Sequence, residues 1–191
     1  MKLKSLIALL LLCNVAFAQS LITNSFDKKT GIRTIATKSI KGSEVTPDDT
    51  VARNGMLFFS AGYQEIKGTD KSTETYYIEL NMVHREAGLG CLENGKSRAE
   101  ITLADGSVID CIQISDTDCD PVGFIAAFAL MPKGSTPEVM KQNFDKLIAT
   151  DVMKIKIYTT ESTITFNTKT KSRPYIKSHL ALISKTIKQA Y

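Results

Sequence analysis

The chain has 191 residues, 43% of them hydrophobic and 23% charged, with a formal net charge of +4 at pH 7. This balance excludes an intrinsically disordered chain, which combines few apolar residues with a high net charge, and the length suits one domain with a sizeable core. The two histidines and four cysteines lack the close spacing of common zinc sites.

The first eighteen residues have the pattern of a secretory signal peptide. Two lysines precede an apolar run over residues 6–12, and Ala16 and Ala18 supply small residues at the positions that a signal peptidase reads. The apolar run is shorter than the about 20 residues that cross a bilayer. We therefore expect residues 1–18 to be a signal peptide that is cleaved after Ala18.

Cys13 offers an alternative, because a bacterial lipoprotein is cut just before such a cysteine. That processing needs a small residue immediately ahead of the cysteine, and Leu12 stands there. We favour signal peptidase cleavage. The mature chain, 19–191, is then expected to be a single strand-rich domain without a transmembrane segment, in the periplasm or secreted.

The strand signals sharpen along the first half of the chain. Residues 20–50 are polar and turn-rich, with one weak strand over 31–40. Residues 56–66 are aromatic and alternating enough for a strand. In 74–84 every second residue from Tyr76 to Met82 is apolar, and this period of two predicts a strand with one buried face.

Residues 97–114 predict a β-hairpin. Two alternating runs flank Asp105-Gly106, a pair that supplies the positive φ angles of a two-residue turn. Paired residue numbers then sum to about 211, so Leu103 faces Val108. In this register Cys111 points to the opposite face from Val108, as an unpaired and semi-buried thiol.

The same register predicts a disulfide. In this register Cys91 and Cys119 lie just beyond the two strands, almost opposite each other at the open end of the hairpin. Residues in such positions have their Cα atoms at about the distance that a disulfide needs. Export would place the chain where disulfides persist. We therefore expect a Cys91–Cys119 bridge, with Cys111 left over.

Two helices are predicted after the last long strand. Residues 122–131 are apolar on every side, which indicates a central strand covered on both faces or, alternatively, a short buried helix. Amphipathic helices follow at 135–148 and 174–189, and strands at 152–158 and 163–168. The predicted class is α+β, a mostly antiparallel sheet or sandwich of about seven or eight strands, with both helices in the C-terminal third.

One acidic segment is a candidate metal site. Asp116, Asp118 and Asp120 alternate in a loop and could offer oxygens to calcium. An EF-hand is excluded, because Pro121 and Ala127 occupy the positions of its glycine and its final glutamate. The segment predicts an irregular calcium site or a simple acidic turn, and no other cofactor is expected.

No catalytic motif is present, so no catalytic residue is assigned. We expect an exported, non-enzymatic binding or interaction protein. The alternative is an extracytoplasmic hydrolase-type enzyme, metal-dependent if the three aspartates join His84 and Glu86 in one cleft. Tyr63, Tyr76 and Tyr77 predict either core packing or a groove for a carbohydrate or lipid.

Positive charge is concentrated in the C-terminal third. Residues 133–191 hold 11 basic and 4 acidic residues, whereas residues 19–132 hold 11 basic and 16 acidic. Such asymmetry favours an anionic partner, here an acidic polymer or surface; a nucleic acid is not expected. The candidate anion-binding face comprises Lys154, Lys156, Lys169, Lys171 and Arg173.

Overall fold

In a computed structural model of the protein, the described residues are 21–39, 46–47, 55–69, 71–83 and 88–189. The predicted signal peptide and the alternative lipoprotein site at Cys13 lie outside these ranges. So do His84 and Glu86, which belong to the hydrolase hypothesis. Those expectations therefore stay predictions.

Ten strands of the described residues form one antiparallel sheet, in the order β1-β2-β4-β5-β8-β7-β6-β9-β10-β3. The strands are β1 (Leu21–Asp27), β2 (Ile32–Thr37), β3 (Thr46–Pro47), β4 (Met56–Lys67), β5 (Ser72–Val83), β6 (Arg98–Leu103), β7 (Val108–Gln113), β8 (Gly123–Ala129), β9 (Val152–Tyr158) and β10 (Thr163–Asn167). The helices are α1 (Pro137–Ala149) and α2 (Arg173–Ile187). The predicted α+β class is confirmed, with one sheet rather than a sandwich.

Two strands exceed the seven or eight that we expected. The first, β1, pairs only with β2 at the edge of the sheet, and its residues are exposed or partly exposed. An edge strand without a buried face has no apolar alternation to reveal it. The other, β3, has two residues and borders β10. A strand of two residues is too short to show the alternation from which strands are predicted.

The helices pack on one face of the sheet, where alternate strand residues are buried. Helix α2 contacts β2 and β4 on one side and β9 on the other, so the sheet bends around it, while α1 packs on β5 and α2. The predicted cover on both faces of β8 is wrong. Phe124 and Phe128 are buried under the helices, but Ile125 on the opposite face is 56% exposed.

Basic side chains fix the carboxyl ends of both helices. Arg33 of β2 donates hydrogen bonds to the carbonyls of Thr186 (3.0 Å) and Ile187 (3.2 Å) at the end of α2. Lys177 of α2 donates to the Ala149 carbonyl at the end of α1 (3.2 Å). Since the carboxyl end of a helix carries partial negative charge, the cations stabilise both termini.

The β6–β7 hairpin differs from its predicted register by one residue. Ala99 pairs with Cys111 and Thr102 with Val108, because the turn is longer than two residues and contains Gly106 at φ 84°. A shift of one residue exchanges the faces of a strand. Cys111 is therefore buried under the helices rather than semi-buried on the other face, while Val108 is 55% exposed.

The predicted disulfide is present at the open end of this hairpin. Cys91 and Cys119 are bonded, with Cα atoms 4.3 Å apart. The flanking backbone is also paired, since the Leu92 and Asp118 amides each donate to the other residue's carbonyl. Burial raises the pKa of the free Cys111 thiol, which keeps it in the unreactive protonated form.

Candidate functional site

Four of the five predicted anion-binding residues lie at one end of the sheet. Lys154 stands near the start of β9, opposite Asn167 at the end of β10. The chain then turns through Lys169 and Lys171, both exposed, into α2 at Arg173. We call Lys154, Lys169, Lys171 and Arg173 the basic cluster. Among the described residues, none of the four is in an ion pair.

The turn of the basic cluster also contains polar atoms without a partner. The Thr168 hydroxyl is buried with no hydrogen-bond partner among the described residues, and the same is true of the Arg173 Nε. Helix α2, 15 residues long, begins at Arg173 and has no acidic residue in its first turn. The amino end of a helix carries partial positive charge, and here the Tyr175 and Ile176 amides already donate to the Ser172 carbonyl. The positively charged side chains, the buried hydrogen-bond donors and the helix dipole therefore all favour the binding of an anion at this turn.

Among the described residues, two carboxylates near this end of the sheet are already engaged by other groups. Asp151 precedes β9 and forms an ion pair with Lys177 at 3.1 Å. Asp105 accepts hydrogen bonds from the Ser107 hydroxyl and amide, which together with the charge of Lys146 hold its pKa below the ordinary value. These two carboxylates therefore form no ion pair with the basic cluster.

Lys156 belongs to a different arrangement from the other four predicted residues. It lies on the outer face of the sheet, with its Nζ 4.8 Å from the centre of the Tyr158 ring. On the same face Arg98 stacks over Tyr158 at 3.9 Å and forms ion pairs with Glu100 (2.7 Å) and Asp110 (3.0 Å). Carboxylates thus balance the cations around Lys156, which makes it a poor anion site.

Two of the three aspartates of the candidate calcium site accept hydrogen bonds from the backbone. Both Asp118 oxygens accept amide hydrogen bonds, from Asp120 (3.0 Å) and Ile125 (2.8 Å), and Asp120 accepts one from Val122 (2.8 Å). Asp116 is exposed. Among the described residues, no three His, Cys, Asp or Glu side chains form a group that could hold a metal. The calcium site stays a prediction, with an acidic turn beside the disulfide as its alternative.

Two of the three singled-out tyrosines are core residues. Tyr63 and Tyr76 are 1% and 2% exposed, and their rings meet edge to face at 5.0 Å. Tyr77 lies on the other face of the sheet, over Gly62. Burial, followed by the nearby Glu74 carboxylate, raises the pKa of both buried phenols. Tyr63 and Tyr76 therefore serve in core packing, while the groove hypothesis stays a prediction for Tyr77.

Sequence reasoning missed Glu74, which accepts a hydrogen bond from each buried tyrosine: from Tyr63 at 3.1 Å and from Tyr76 at 3.0 Å. A signal was present, because Glu74 has the same strand parity as Tyr76 and so falls on the apolar face. A carboxylate on such a face needs partners. The pairing of β4 with β5 provides them.

Comparisons with known proteins add no family or neighbour. In the part of the chain that the structure describes, no helix has the length and apolarity needed to cross a bilayer. The Cys91–Cys119 disulfide is compatible with an extracytoplasmic protein. Neither a protein-family model, nor a curated protein, nor a solved structure matches this chain.

Proposed function

We propose that this is an exported, non-enzymatic binding protein that uses the basic cluster to attach to an acidic polymer or surface in the periplasm or outside the cell. The observation that carries the proposal is that, among the described residues, Lys154, Lys169, Lys171 and Arg173 form no ion pair near the amino end of α2. Exposed lysines usually have solvent as their only partner. Here they are joined by a helix terminus and by buried polar atoms that have no partner in the part of the chain that the structure describes.

A polymer is favoured over a compact anion by the spread of the charges. Lys169 and Lys171 are exposed on a turn, and Lys154 lies on the neighbouring strand. Repeating anionic groups could contact several of these cations at once, while each contact alone would be weak in water. Binding should therefore weaken steeply with salt, as it does when a polyanion releases condensed counterions.

The proposal is tested with heparin as the probe polyanion and two charge-matched double variants. Lys169→Gln/Lys171→Gln removes two charges from the basic cluster, and Lys185→Gln/Lys188→Gln removes two from the other end of α2. We expect the first to weaken heparin binding about tenfold or more and to lower the slope of log K against log salt by about 2. The second should change binding by less than about twofold.

Two results would overturn the proposal. Equal loss in both double variants would indicate non-specific attraction to net charge. Elution of the wild-type protein from heparin at no higher salt than from a plain cation exchanger would leave only a solvated basic surface. Thermal unfolding of each variant checks that the comparison is made between folded proteins.

A further inference from the structure

A concave site lies between β5 and α1, away from the basic cluster. The first residues of β5 form one wall and the first turn of α1 forms the other, around a cleft of about 570 Å³. This volume is within the range of small-molecule sites. Glu74 is the partly buried member of its lining, and Glu138 and Lys141 are exposed members.

The Glu74 carboxylate is held in a fixed position. Each of its oxygens accepts one hydrogen bond, Oε1 from Tyr63 and Oε2 from Tyr76, and both tyrosines are at least 98% buried. The Tyr76 ring also packs on Phe144 of α1, with ring centres 4.6 Å apart. A carboxylate accepts about four hydrogen bonds. Glu74 therefore enters the cleft with acceptor positions to spare and with its orientation already set.

No described cation neutralises Glu74 at ion-pair distance. Lys141 is committed to Asp145, at 2.6 Å and 2.5 Å from its two oxygens. Lys71 lies near Glu138, whose pKa is held low chiefly by the Thr136 hydroxyl and to a smaller extent by Lys71. Lys71 and Lys141 therefore line the cleft without forming an ion pair with Glu74.

We propose that this cleft binds a small aliphatic amine, with Glu74 accepting hydrogen bonds from its primary ammonium group. A partly buried carboxylate oriented by neutral donors favours a compact cation, because ion pairing gains strength as solvent is excluded. An ammonium offers three donors on one centre and fits the acceptor positions left on Glu74. Glu138 at the rim gives a second, weaker attraction for a ligand with two amines.

The test uses 1,5-diaminopentane as the probe and 1,5-pentanediol as its neutral counterpart. The protein has six tyrosines and no tryptophan, so the two rings bonded to Glu74 contribute to the tyrosine emission without being masked by tryptophan, and calorimetry gives the affinity. We expect the diamine to bind and the diol not to bind. Glu74→Gln should weaken diamine binding about tenfold or more, whereas Glu138→Gln, with the same charge loss at the exposed rim, should weaken it less than about threefold.

Glu74→Asp keeps the negative charge but moves it back from the cleft, because the side chain is one methylene shorter. We expect its affinity for the diamine to lie between those of the wild type and Glu74→Gln. This variant keeps the test decisive even if Glu74→Gln does not fold. The proposal is overturned if the diamine and the diol bind alike, if no binding is detected for the wild-type protein at about 10 mM diamine, near the weak end of measurable affinity, or if the Glu138→Gln loss equals that of the Glu74 variants. None of these results bears on heparin binding, since the two sites share no residue.

Discussion

At the scale of single residues, the least favourable placement in the described structure is that of His179. It lies on the buried face of α2, is 0% exposed, and has no hydrogen-bond partner for either ring nitrogen among the described residues. Its ring lies 6.1 Å from that of Phe59. Burial alone lowers the pKa of His179 from 6.5 to about 4. A neutral histidine is tolerated here, but a protonated one is not.

This placement predicts how stability depends on pH. As pH falls below 6.5 the unfolded chain takes up a proton at His179 while the folded chain does not, so stability is lost down to about pH 4. The shift corresponds to roughly 3 kcal/mol. His179→Leu should therefore be at least as stable as the wild type at pH 7 and gain about 3 kcal/mol relative to it at pH 4. Urea unfolding of both proteins across this range measures the difference, and a constant difference would contradict the assignment.

At the scale of elements, the long β4–β5 pair depends on a contact across its outer face. Gly62 and Tyr77 are directly opposite, and the Tyr77 ring covers the glycine so closely that a Cβ on Gly62 would lie 2.0 Å from the ring. A tyrosine packed over a strand glycine replaces the missing side chain and fixes the register. The glycine is therefore required by its neighbour and not by its backbone angles.

The predicted consequence is strong coupling between the two residues. Gly62→Ala should cost about 1–3 kcal/mol of stability, because the Tyr77 ring must move. In a Tyr77→Ala background the same change should cost nothing or stabilise, since alanine suits a strand better than glycine. A double-mutant cycle from denaturant unfolding measures the coupling. Equal costs in the two backgrounds would refute the close contact.

The disulfide is the second element-scale feature with a measurable contribution. It joins residues 28 positions apart, and the chain-entropy model gives a loop of this size roughly 3–4 kcal/mol. Cys91→Ser/Cys119→Ser should lose about this much stability and become insensitive to reductant. The matched control is Cys111→Ala, which should remain sensitive to reductant even though it loses buried contacts. A Cys111→Ala variant unaffected by reductant would show that the bridge does not form as described.

At the scale of the whole molecule, residue patterns predicted the elements better than their pairing. The alternation of apolar residues in β5 and the apolar stripes along both helices follow directly from burial, so these elements were predicted correctly. The β6–β7 register depended on the length of one turn, and Asp105-Gly106 fits a longer turn as well as a two-residue one. The Cys91–Cys119 bridge was still correct, because the residue numbers of the two cysteines sum to 210, as do those of the observed pairs.

The two candidate sites show the same limit. The cations around Lys171 could be found from the sequence because they are close along the chain. That Lys156 lies apart from these cations could not be predicted, because Glu100 comes close to Lys156 only when β6 pairs with β9. Glu74 and Tyr63 likewise meet only when β4 and β5 pair. Side chains brought together by a sheet of this order leave no linear motif.

The central claim, that the basic cluster is the binding surface, is tested most directly by locating a bound polyanion. An amide nuclear magnetic resonance titration of the mature chain with a heparin oligosaccharide reports the contact residue by residue. We expect the largest chemical-shift changes at Lys154 and over residues 168–175, with little change at Lys28, Lys29, Lys185 and Lys188. Changes of equal size at all exposed lysines, or none near the start of α2, would contradict it.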